Sequence, residues 1–160
     1  MQAGKISYPG VGVAVGGLVG IVGVMAKWFS FSVPLRNGVA TYTLSARADW
    51  TGSLALAGAF GAFAFGGAYI LFTDPQLRRL VGVLMSVCAV FLLMFSIFAY
   101  TRIDDAVGIP AVRFTTQAGP GLVVSFVGGV IAMASAFLVS RELFGSADTS
   151  VAPKPDAVEV

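Results

Sequence analysis

A chain of 160 residues that is 57% apolar and 11% charged, with a mean hydropathy of +0.88, falls in the membrane class before any segment is inspected. It has no histidine and a single cysteine, Cys88, inside an apolar run, which removes zinc fingers, histidine-ligated haem, Ser-His-Asp triads and structural disulfides. A net charge of +2 with no basic run argues against nucleic acid as a partner.

The first predicted membrane span covers residues 8–27 and carries no charge between Ile6 and Ala26. Val24 to Trp28 makes a poor small-residue cleavage site, so this segment reads as a retained helix rather than a signal peptide. Gly12, Gly16 and Gly20 recur at four-residue spacing and share one face, which lets another helix approach almost backbone to backbone. Such a face ordinarily packs within its own chain; the sharper reading is a docking face for another subunit. Gly10-Val11-Gly12 and Gly16-Gly17 look superficially like a phosphate loop, but they lie inside a helix with no preceding strand.

From Trp28 to Arg47 the period changes from helix to strand. Phe29, Phe31, Val33 and Leu35 alternate with Ser30, Ser32 and Pro34, and Asn37-Gly38 supplies the residues of a type I′ turn. The expected hairpin pairs Leu35 with Ala40, Val33 with Tyr42, Phe31 with Leu44 and Phe29 with Ala46. Its apolar face is expected to lie on the helices, because an isolated hairpin is only marginally stable. Trp28 and Trp50 bracket this segment as interfacial anchors, and Asp49 is placed to cap the next helix.

The second span, 51–72, repeats the small face with Gly58, Ala62 and Gly66, while Phe60, Phe63 and Phe65 occupy other faces. Thr73-Asp74-Pro75 is expected to stop it, and Gln76 to Arg79 to complete a short connection to the third span, 80–100. There Gly82, Ser86, Ala89 and Ser96 mark the buried stripe, and Cys88 lies off it as a small hydrophobe. The loop 101–121 holds turn material at Asp104-Asp105 and Gly108-Ile109-Pro110, and a candidate third strand over 111–117. Adjacent aspartates give too few oxygen ligands for a calcium cage, so the pair reads as rim charge. Gly119-Pro120-Gly121 opens the fourth span, 122–140, with Gly128, Ala132 and Ala136 on its small face.

The fold class is therefore all-α integral membrane: one domain over 1–145, a four-transmembrane-helix bundle with a small extracytoplasmic β-hairpin or three-stranded sheet. A small, polar tail of disordered composition follows at 146–160. Lys and Arg divide evenly between the two sides, five against five. The early Lys5 and the Arg78-Arg79 pair in the tightest loop favour cytoplasmic termini in a multi-pass protein of the cell membrane.

All eight carboxylates fall in loops, at helix ends or in the tail, so no proton relay or ion pathway is encoded at mid-membrane depth. With no histidine and no buried acid the chain is not expected to be an enzyme, and no cofactor or metal is implied. The functional expectation is a non-catalytic accessory or structural subunit of a larger membrane complex. It would pack through Gly12, Gly16, Gly20, Gly58, Ala62, Gly66, Gly128, Ala132 and Ala136, and contact partners outside through Arg36, Tyr42, Arg47, Arg102 and Arg113. Its partners would be the lipid bilayer and other membrane subunits. The alternative is a small homo-oligomeric channel or lipid-binding transporter, in which Ser86, Ser96, Ser125 and Ser135 line one path.

In having a first span that ends on Trp28, a strand-forming segment after it, and glycine-containing turns at Asp49-Trp50-Thr51-Gly52 and Gly119-Pro120-Gly121, the chain resembles small four-helix membrane proteins of actinobacteria and some archaea. That resemblance implies the fold and no activity. The layout is also similar to claudin-type proteins, whose four helices carry a small extracellular sheet. The paired loop cysteines and Trp-Gly-Leu-Trp signature of those proteins are missing here, so no site residues carry over.

Overall fold

The computed structural model describes residues 8–46, 50–102 and 115–145. Along the chain these form α1 (Tyr8–Met25), β1 (Lys27–Leu35), β2 (Gly38–Ser45), α2 (Trp50–Leu71), α3 (Pro75–Thr101), β3 (Thr115–Ala118) and α4 (Pro120–Gly145). Each of the four helices is long and apolar enough to cross a membrane, the shortest being 18 residues, or about 27 Å at 1.5 Å per residue.

Intrinsic propensity does not account for α1. Its sequence YPGVGVAVGGLVGIVGVM contains six glycines, each costing about 1 kcal/mol relative to alanine in a helix. Beyond Tyr8 it has no polar side chain to satisfy its backbone groups, so intrahelical bonds are their only local partners. The glycines contribute instead through packing.

The helices pack in ring order α1-α2-α3-α4, each on its two neighbours. Small residues fill much of the inside: Ala55, Ala59, Ala62, Ala89, Ala132 and Ala136 are buried, while Leu18, Val22, Phe60, Leu80, Phe137 and Leu138 are exposed. Two clusters make up the core. One, around Leu92, Trp28 and Phe95, lies at the sheet end; the other, around Tyr69, Met85 and Val139, lies at the opposite end.

α1 ends at Met25, two residues early, and α3 and α4 run beyond their expected bounds. Gln76 to Arg79 belong to the first turns of α3, leaving only Phe72, Thr73 and Asp74 as the connection. Asp74 is the N-cap, its carboxylate accepting the Gln76 N–H at 2.8 Å, and Pro75 sits where a missing N–H does no harm. Proline thus begins a helix here rather than ending one. α4 likewise starts at Pro120 and continues past Arg141 to Gly145.

The sheet has three antiparallel strands in the order β2-β1-β3. The third strand runs from Thr115 to Ala118, later than expected, and 111–114 lie outside the described residues. The hairpin register is two residues from the expected one: Phe31 faces Tyr42, Ser32 faces Thr41, Val33 faces Ala40 and Leu35 faces Gly38. Arg36 and Asn37 form the loop, neither with positive φ, and Gly38 takes φ +148° as the first residue of β2. No type I′ turn forms. Because side chains alternate with a period of two, this shift leaves the apolar face intact.

A bulge at Trp28, between the Lys27–Ser45 and Phe29–Leu44 pairs, turns that indole off the Ser30–Ser32 face and into the bundle. Trp28 is fully buried and donates from Nε1 to the Gly23 carbonyl at 3.1 Å. It is a core residue, not a surface anchor. Trp50 is 54% exposed and packs its ring against Phe95 and Phe98.

Candidate functional site

The small residues picked out in the sequence lie in the seams between helices. A Cβ on Gly16 would fall 2.5 Å from the Ala132 amide nitrogen and 2.7 Å from the Gly128 carbonyl; one on Gly128 would fall 2.5 Å from the Gly20 nitrogen. Gly12 lies against Ser135, so α1 and α4 touch along much of their length. Gly58 abuts Leu92 of α3, Gly66 abuts Ala14 of α1, and Ala62, Ala132 and Ala136 are buried. A second α1 face, Gly10 and Gly17, lies against Tyr69 and Phe63 of α2. These faces are occupied inside the chain.

The serines that would line a channel hydrogen-bond within their own helices. Ser86 donates to Gly82 O, Ser96 to Leu92 O and Ser125 to Leu122 O, at 2.8–2.9 Å. Ser96 and Ser125 also meet each other at 3.4 Å across α3 and α4. Ser135 lies against Gly12 in the α1–α4 seam.

The sheet, by contrast, is open. Its base is fixed: Gly119 N–H donates to Trp28 O at 2.6 Å, and Ala46 is buried against Gly52. Phe29, next to the base, packs on the core cluster, but towards the tip the apolar face is not covered as expected: Tyr42 stacks on Phe31 at 5.3 Å yet is 53% exposed, and Leu35 is exposed too. Among the described residues β2 is an edge strand, and its sequence, GVATYTLS, has no charge and no proline, the devices with which natural edges are usually blunted. Arg36 sits exposed in the turn at the tip, and Arg102 lies at the end of α3 with its guanidinium 4.7 Å above the Phe98 ring. Arg47 and Arg113, like Asp49 and the Asp104-Asp105 pair, lie outside the described residues.

The α3–α4 seam is less tightly filled than the glycine seams, which no sequence pattern marks. Towards the sheet it opens into a cavity of ≈ 240 Å³ lined by Ser96, Ile97, Tyr100, Leu122, Val123 and Phe126. At the other end a smaller one, ≈ 150 Å³, is lined by Gly82, Val83, Ser86, Val87, Ser140 and Leu143. Just beyond it Arg78 lies 4.6 Å over the Tyr69 ring, with its Nε buried and without a hydrogen-bond partner.

What these parts define is a four-helix apolar bundle, sealed by small residues, that displays a three-stranded sheet from one end. Against known families, curated proteins and solved structures, the chain finds no match.

Proposed function

We propose that this chain is a non-catalytic accessory subunit of a larger membrane complex, anchored by its four helices and joined to its partners through the sheet. The uncharged, open β2 edge with its exposed Tyr42 face carries this reading, because an edge of this kind accepts another strand by main-chain hydrogen bonding. The glycine and alanine faces then serve to hold the display scaffold together rather than to recruit. In this reading both chain ends lie in the cytoplasm and the sheet on the far side, with Arg36 and Arg102 at its rim.

The channel alternative receives less support, since the serines needed for a polar path are bonded to their own helices. The test is purification in mild detergent from the native membrane, followed by native mass and identification of what travels with the chain. A stoichiometric set of unrelated subunits is expected, and Thr43→Lys, which blunts the β2 edge, releases them. A clean homo-oligomer that conducts in liposomes would overturn the proposal.

A further inference from the structure

We infer that the end of the α3–α4 seam remote from the sheet is a binding site for an anionic phospholipid, its acyl chain in the groove and its phosphate on arginines at the mouth. The inference rests on the membrane-spanning part of the reading above. The groove is lined by Gly82, Val83, Ser86 and Val87 of α3 and by Ser140 and Leu143 of α4. Its two hydroxyls are already committed, Ser86 to Gly82 O and Ser140 to Ala136 O, so the trough makes no polar demand on an occupant and suits a hydrocarbon chain.

Both α3 rows of this groove lead into an arginine. Arg78 stands four residues before Gly82 and eight before Ser86, and Arg79 stands four before Val83 and eight before Val87, so each shares a helix face with the row it precedes. On α4, Arg141 follows Ser140 directly. Gly82 lies against Leu143 and Val139, which brings the start of α3 beside the end of α4.

Among the described residues none of these three cations has an ion-pair partner. Arg78 has only the Tyr69 ring and a buried Nε–H with nothing to donate to; Arg79 and Arg141 are exposed. The described acids nearby are engaged elsewhere: Asp74 caps α3, and Glu142 has an interaction of its own. Three unpaired guanidiniums at the mouth of an apolar groove between two spanning helices are complementary to a phosphate diester with a hydrocarbon tail.

The test is native mass spectrometry of the full chain in mild detergent, titrated with phosphatidylglycerol and, separately, with phosphatidylcholine. Phosphatidylglycerol is expected to stay bound at about tenfold lower lipid concentration, with each of Arg79→Ala and Arg141→Ala weakening it about fivefold. Both side chains are exposed, so folding is not at stake. Val83→Trp, which fills the groove, lowers retention of both lipids. Removing the same charge at the other end, with Arg36→Ala and Arg102→Ala, leaves retention unchanged.

Equal retention of the two lipids, an equal loss in the Arg36/Arg102 control, or displacement by inorganic phosphate alone would overturn the site. If unrelated subunits co-purify but no lipid preference is found, the site fails and the accessory reading stands. A preference in a chain that travels alone has the opposite meaning.

Discussion

Replacing Gly16 by alanine adds one methyl group to the α1–α4 seam. Its Cβ would sit 2.5 Å from Ala132 N, 2.7 Å from Gly128 O and 2.9 Å from Ala132 Cα. Carbon contacts settle at about 3.5–4.0 Å, so the two helices must part by about 1 Å at this level. No flexible side-chain tip is in the way; the obstruction is backbone, and parting it also lifts Gly12 from Ser135 and Gly23 from Ser125. Overpacking costs about 1–3 kcal/mol, and alanine returns about 1 kcal/mol of helix propensity. With backbone against backbone the cost belongs at the upper end, which leaves a net loss of about 2 kcal/mol.

Gly67→Ala is the matched control: it gains the same propensity, with nothing within 4 Å of the added atom, and so stabilises by up to about 1 kcal/mol. Equilibrium unfolding in mixed detergent micelles, followed by circular dichroism, reads the difference of about 3 kcal/mol between the variants. If Gly16→Ala proves as stable as Gly67→Ala, close backbone approach does not hold this bundle together.

Trp28→Phe removes a buried indole and its bond to Gly23 O, and is expected to cost about 2–4 kcal/mol in the same assay. In the wild type, a lipid-soluble quencher should reach Trp50 and spare Trp28, so the unquenched fraction of the emission vanishes in that variant. Asp74→Ala should cost about 1 kcal/mol by uncapping α3, and Asp74→Ser should recover most of it. Cys88, half-buried beside Gly61, should resist water-soluble thiol reagents until the helices are separated by denaturant, as its labelling rate will show.

The four helices were legible because runs of about 20 apolar residues have few other fates. The small-residue spacing was also legible, since glycines four apart must share a face, although nothing in one helix names the helix that will cover it. The hairpin illustrates the limit. Alternation fixes which side chains share a face, but it is blind to a slip of two residues, and the Asn37-Gly38 signal pulled the turn one position too far along the chain.

The inward turn of Trp28 is hidden from the sequence for a related reason. A tryptophan at the end of an apolar span has the composition of an interfacial anchor, and only the bulge, a pairing irregularity at the open end of the hairpin, turns it inward. Proline both ends and begins helices, and the Asp before Pro75 marks the second role. The open β2 edge was visible as strand sequence, but its exposure depends on where β3 docks. The α3–α4 groove is invisible in the sequence because it exists only where two helices fall out of close contact.

The base of the sheet has a mechanical consequence. Trp28 grips the end of α1 through Gly23 O and receives the Gly119 N–H just before α4, while Ala46 at the end of the hairpin is wedged against Gly52 at the start of α2. Three of the four helices are therefore clamped to one small plate. Through these contacts a displacement of the plate bears on α1, α2 and α4 together.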